Sequence, residues 1–212
     1  MSRITVGAVS KLPPGSLVQV EVNGREYAVC NAGGLGSLPC ATLTAEQIDR
    51  ELRVITSATD RPYNVNFFCH QPVPVDRSMA DRWLTVLAPY LAEYGVEPDP
   101  AALLAPARVP FDHDVADVVE PFRPPVVSFH FGLPADDLLA RVRSWGSHII
   151  ASATTVAEAR WLADRGVDAV IAQGVEAGGH RGVFLPGPLT GGWQRAIATQ
   201  VGTMALVPQV VA

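Results

Sequence analysis

Lysine is almost missing from this chain of 212 residues: Lys11 is the single one, and arginine carries nearly all the positive charge. No Lys/Arg cluster offers a phosphate track, and the net charge is -5, so nucleic acid is not an expected partner. Apolar runs fall far short of the roughly 20 residues that a bilayer span needs. The first residues lack the charged-then-apolar build of a signal peptide, so no membrane association and a cytoplasmic location are expected. Cys30, Cys40 and Cys69 are odd in number and lack metal-ligand spacing, which suits reduced thiols packed as small core residues. No G-x-G-x-x-G opens a helix, which removes support for a Rossmann dinucleotide site. What is present is core material, with 48% apolar and 17% charged residues.

From about Asn31 onward, short apolar strands alternate with amphipathic helices. Strands are expected at Leu35 to Leu38, Asn64 to Phe68, Val126 to Phe131, His148 to Ser152 and Val167 to Ala172. Thr44, with Gln47 three residues on, reads as a capping box that opens a helix with Ile48, Leu52 and Ile55 on its buried stripe. Further helices are expected from Asp76 to Tyr94, after Pro134 and from Thr155 to Arg165, whereas His113 among Asp112, Asp114 and Asp117 reads as a solvated acidic loop. Repeated strand–helix units mean a parallel sheet. Polar groups at successive strand ends (Asn66, His130, Ser152, Gln173) favour a barrel over an open doubly wound sheet.

The most informative stretch runs from Gly166 to Gly182. Gly166 suits a left-handed helix cap, and Val167 to Ala172 is a buried strand. A loop follows in which Gly178, Gly179 and Gly182 surround His180, so backbone can approach a flat or anionic ligand while an imidazole points into the same space.

Four motifs together resemble the nitronate monooxygenase family: Asn31 to Leu38, Asn64-Val65-Asn66-Phe67, Ser128-Phe129-His130-Phe131-Gly132, and Glu176-Ala177-Gly178-Gly179-His180-Arg181-Gly182. The resemblance implies an α/β fold, the FMN-binding (β/α)8 TIM barrel. It also implies oxidation of alkyl nitronates by O2 to a carbonyl compound and nitrite. His180 would be the active-site histidine, a base toward neutral nitroalkanes that also positions the nitronate. Asn66, Gln173, Gly178 and Gly179 would contact FMN. Ser152 falls where some members have a lysine near the flavin. An amide that both donates and accepts suits a neutral flavin edge, and an imidazole is the simplest base near neutral pH.

Two departures from the family are expected to matter. Only strands two to six of the barrel are recognisable, over residues 31–212, and the loops that usually grip a phosphate follow strands seven and eight. Five parallel strands would leave sheet edges open to self-association, and a marginal or aggregation-prone product is expected. Residues 1–30 are foreign to the family. Ser16 to Val22, Asn23-Gly24 and Arg25 to Val29 read as a β-hairpin with a type I′ turn, like the opening of a Rieske-type ferredoxin domain. The Cys/His ligand pairs of that family are absent, so no Fe–S cluster is expected.

His70 and His130 follow strands and could line a pocket mouth, although aromatic packing with one hydrogen bond is the plainer reading. Trp193 could cap the pocket or pack in the core. Two other functional readings stand beside the flavoenzyme: a non-catalytic barrel fragment with weak FMN affinity, and a metal-dependent barrel hydrolase. The hydrolase lacks a His-x-His pair and a placed acidic ligand, so no metal is expected.

Overall fold

In the computed structural model, residues 17–22, 25–30, 34–71, 76–97, 108–185 and 200–211 are described. The chain forms two compact units, Met1–Gly36 and Ser37–Ala212. In the first, β1 (Leu17–Val22) and β2 (Arg25–Cys30) pair antiparallel with Val22 opposite Arg25. That register leaves a two-residue connection, as the Asn23-Gly24 signal requires; the turn residues themselves, like Trp193, lie outside the described residues.

The second unit is built on a sheet in the order β3 (Gly36–Pro39), β4 (Tyr63–Phe68), β5 (Val126–His130), β6 (His148–Ala153), β7 (Ala169–Ala172). The pairs from β4 to β7 are parallel. Spatial order follows chain order with no reversal. A doubly wound sheet reverses direction at a switch point, whereas a barrel wall does not, so this sheet is an arc of barrel wall.

The helices are α1 (Ala45–Ala58), α2 (Arg77–Glu93), α3 (His113–Val119), α4 (Asp136–Ser144), α5 (Val156–Asp164) and α6 (Thr203–Val211). The Thr44–Gln47 capping box forms as expected, and Thr155 caps α5. The expected loop around His113 is instead α3. Asp112 accepts from Val115 N at its start and Asp114 stands in a first turn that favours negative charge, while Asp117 pairs with Arg141.

One core binds α1, α3, α4 and α5 to one face of the sheet. Ile48, Leu52, Val119, Val142 and Leu162 from the helices meet Val65, Val127, Phe129, Ile149 and Ala151 from the strands. Each of these is at most 1% exposed. Gly166 has φ +67 and ends α5 as the cap argument predicts. Helix α2 differs: it contains no buried residue, and Met79, Trp83 and Tyr90 on its apolar stripe are exposed.

Candidate active site

Alternation along a strand puts Asn64, Asn66 and Phe68 on the sheet face opposite Val65 and Phe67. Register then carries that face across the sheet, with Asn66 beside Ser128 and Phe68 beside His130. Serine, asparagine and histidine therefore line the face opposite the one on which the described helices α1, α3, α4 and α5 pack. Asn64 Nδ2 donates to Ser128 Oγ at 2.8 Å and to Ser37 Oγ at 3.1 Å, linking β3, β4 and β5. The half-buried Asn66 carboxamide has no hydrogen-bond partner among the described residues.

The upper end of this face is organised around the His180 loop. Gln173 Nε2 donates to His180 O at 2.8 Å, and Gln173 Oε1 accepts from Gly182 N at 2.7 Å. Both ends of that amide brace the loop, so Gln173 reaches another ligand only by releasing one of these bonds. His130 Nε2 lies 3.0 Å from the same carbonyl, and its Nδ1 lies 2.5 Å from Ser152 Oγ. A carbonyl only accepts, so Nε2 carries the proton and Nδ1 accepts from the serine. Burial holds the His130 pKa below its usual value; the nearby His180 pushes the same way, while the bond to the His180 carbonyl opposes. His130 is thus a neutral structural imidazole with two partners, one more than packing alone suggested.

The His180 side chain is exposed, but its ring rests edge-on against Phe68 at 5.5 Å and Phe131 at 6.0 Å. Arg108 Nη1 sits 3.1 Å from its Nε2. Phe131 adopts φ +67, a left-handed conformation that costs a bulky residue about 1–2 kcal/mol and marks a strained strand end. Of the loop glycines, Gly182 is a steric necessity: a Cβ there would lie 2.5 Å from His130 Cε1. A Cβ at Gly178 or Gly179 would meet nothing within 4 Å, which leaves open space beside the loop.

Two carboxylates hold the loop's flanks. Glu158, 1% exposed, accepts from Thr154 N and Oγ1 and from Phe184 N at 2.7–2.8 Å. Glu176 accepts from Thr203 N and Oγ1 at the start of α6, and the backbone donor is the main cause that lowers its pKa. A cleft of about 350 Å³ lies alongside, lined by His70, Phe131, Leu133, Trp161 and Phe184 among others. Among the described residues, no group of three or more His, Cys, Asp or Glu could hold a metal ion. Nor is any described helix long and apolar enough to cross a membrane.

Of the residues singled out from the sequence, Ser152, Gln173 and His180 are joined through His130 and the loop backbone, Asn66 lies beside Ser128 on the same face, and Gly178 and Gly179 border open space on the loop. Sequence reasoning missed Arg108, which lies outside the described strands and helices and has no periodicity to flag it. It also missed Asn64, although the Asn-x-Asn spacing put both amides on one face.

The family model for nitronate monooxygenase matches residues 26–212. The nitronate monooxygenase of Paraburkholderia phytofirmans is 42% identical over 181 residues, covering 84% of this chain and 47% of that protein. The one from Pseudomonas aeruginosa is 41% identical over 180 residues, covering 85% and 49%. The chain therefore spans about half the length of the curated relatives it matches. Among solved structures, nitroalkane oxidase from Streptomyces ansochromogenes superposes with a TM-score of 0.67 at 34% identity, covering 86% of this chain and 49% of that one. FabK (M276A) from Thermotoga maritima, at 22% identity and TM-score 0.52 over 84% of this chain and 41% of its own, shares the fold.

Proposed function

This chain belongs to the nitronate monooxygenase family, and from that premise we propose that its polar sheet face and His180 loop serve the flavin-dependent oxidation of alkyl nitronates. O2 is the co-substrate, and a carbonyl compound and nitrite are the products. The observation that carries this reading is the His180 loop itself. Its carbonyl is held by two side chains from β5 and the end of β7, and its imidazole rests on the aromatic end of the polar face.

The residues present fit a flat, neutral ring system. Asn66 offers a carboxamide with no partner among the described residues, and Gly178 and Gly179 leave open space at the rim. Bound FMN would take electrons from the nitronate and pass them to O2. Asn66 would hold the ring edge, and Gln173 and Ser152 would support it from behind by fixing the loop and His130. With a neutral nitroalkane, His180 would take the proton from the α-carbon. The C–H bond breaks and its electron pair becomes the C=N bond of the nitronate.

The test is nitrite release from ethyl nitronate under air by the purified chain titrated with FMN. Saturable flavin binding with nitrite production supports the reading, and flavin binding without nitrite makes the chain a non-catalytic barrel fragment. Among the described residues β3 and β7 end the sheet, and Ile171 on β7 is exposed, which supports self-association by edge pairing. Sedimentation across a concentration series should show reversible dimers; a monomer at all concentrations refutes that pairing.

A further inference from the structure

Arg108 is a half-buried cation with an unusual set of neighbours. Its Nη1 lies 3.1 Å from His180 Nε2, and its guanidinium carbon stands 5.8 Å from the centre of the Phe68 ring. No Asp or Glu pairs with it among the described residues, in contrast to Arg53 with Asp49 and Arg141 with Asp117 and Glu120. Among the described residues its two contacts, the Phe68 ring and the His180 imidazole, carry no negative charge. An aromatic face and an imidazole lone pair solvate the charge without neutralising it.

We propose that Arg108 is the receptor for the anionic end of the substrate, and that it makes this site selective for a preformed nitronate over a neutral nitroalkane. The inference rests on the functional reading above and names the substrate form. A nitronate presents two coplanar oxygens that share a negative charge, the pattern a guanidinium fork matches with two parallel N–H donors. A nitro group has the same shape but no net charge, so it gains less than the nitronate from the same charged donors. The contact with His180 adds a second reason. A guanidinium only donates, so it occupies the Nε2 lone pair that proton abstraction at that nitrogen requires. A nitronate needs no such abstraction, and it can take the guanidinium from the ring without penalty.

The test compares the full chain with Arg108→Met and Arg108→Lys, each saturated with FMN, on ethyl nitronate and on nitroethane. Arg108→Met is expected to raise KM for the nitronate about tenfold to a hundredfold, the loss of one charge-assisted contact. Its KM for nitroethane should rise less than that for the nitronate, and its kcat on nitroethane should not fall, because the change also frees His180 Nε2; Lys should restore part of the nitronate loss because it keeps the charge without the fork. In flavin-free chain, butyrate, an inert anion with the same oxygen pair, should shift the Arg108 side-chain NMR signal saturably. Equal KM effects on both substrates, a loss confined to FMN affinity, or an Arg108 signal that ignores butyrate would each overturn the proposal. Should the wild-type chain release no nitrite from either compound, the functional reading falls, while the butyrate titration still decides the role of Arg108. The same titration decides it if the Met variant does not fold.

Discussion

Phe129 and Ser128 are consecutive residues of β5, yet Phe129 packs with Phe67 and Phe111 under the helices while Ser128 accepts a hydrogen bond from Asn64 on the opposite face. The same alternation separates Val65 from Asn64 and Asn66. The helix-covered face is held by apolar burial, which is large and non-directional. The other is a network of amides, hydroxyls and an imidazole, where each group matters through specific partners and an unpaired one invites a ligand. A barrel wall differentiates its two sides this way. The outer side makes the fold, and the inner side carries the proposed site.

The largest expected effect belongs to the proposed chemistry. His180→Ala should lower nitrite production from neutral nitroalkanes by roughly 10²- to 10⁴-fold, the usual contribution of a general base. Steady-state assays with nitroethane check this, and an unchanged rate would remove the base from His180. On the covered face, Phe129→Ala should destabilise by about 3–5 kcal/mol through the cavity it leaves. On the polar face, Ser128→Ala should cost only about 1 kcal/mol, one acceptor for Asn64. Urea melts of the two variants measure that gap directly; similar losses would erase the distinction between the faces.

A smaller effect concerns pH. The folded His130 pKa is lowered, chiefly by burial, so the unfolded chain binds this proton more readily. Its contribution to stability is present above the ordinary histidine range of about 6.5 and is lost as pH falls toward the depressed folded value. Thermal melts from pH 7.5 to 5 should decline less steeply in His130→Gln than in the wild type; parallel curves would contradict a neutral, buried ring. Least visible is Cys40, whose thiol burial pushes up to about 12. It should resist iodoacetamide at pH 8 in the folded protein and react once the chain is unfolded.

The two faces were not equally legible in the sequence. Val65, Phe67, Val127, Phe129, Ile149 and Ala151 announce themselves as short apolar runs, and Thr44, Thr155 and Gly166 punctuate them, because burial and capping leave local patterns. Helix α3 escaped because its seven residues carry two apolar pairs among acidic ones, and a short helix held by a cap and one packed edge looks like a loop. On the polar face, motif residues such as His180 and Gln173 could be picked out by resemblance, but their partners could not. That Gln173 spends both amide ends on residues 180–182, that His130 shares the His180 carbonyl, and that Arg108 reaches the ring across the fold are long-range facts with no periodic trace.

The central claim is that the polar face, with Asn66 free of partners among the described residues and the His180 loop braced at its rim, is a flavin site. Fluorescence titration of FMN with the wild-type chain and with Asn66→Leu tests it most directly. Saturable quenching near one flavin per chain, weakened at least about tenfold in the variant while its melt is unchanged, is the predicted result. Flavin fluorescence that responds to neither protein, or to both alike, would contradict it.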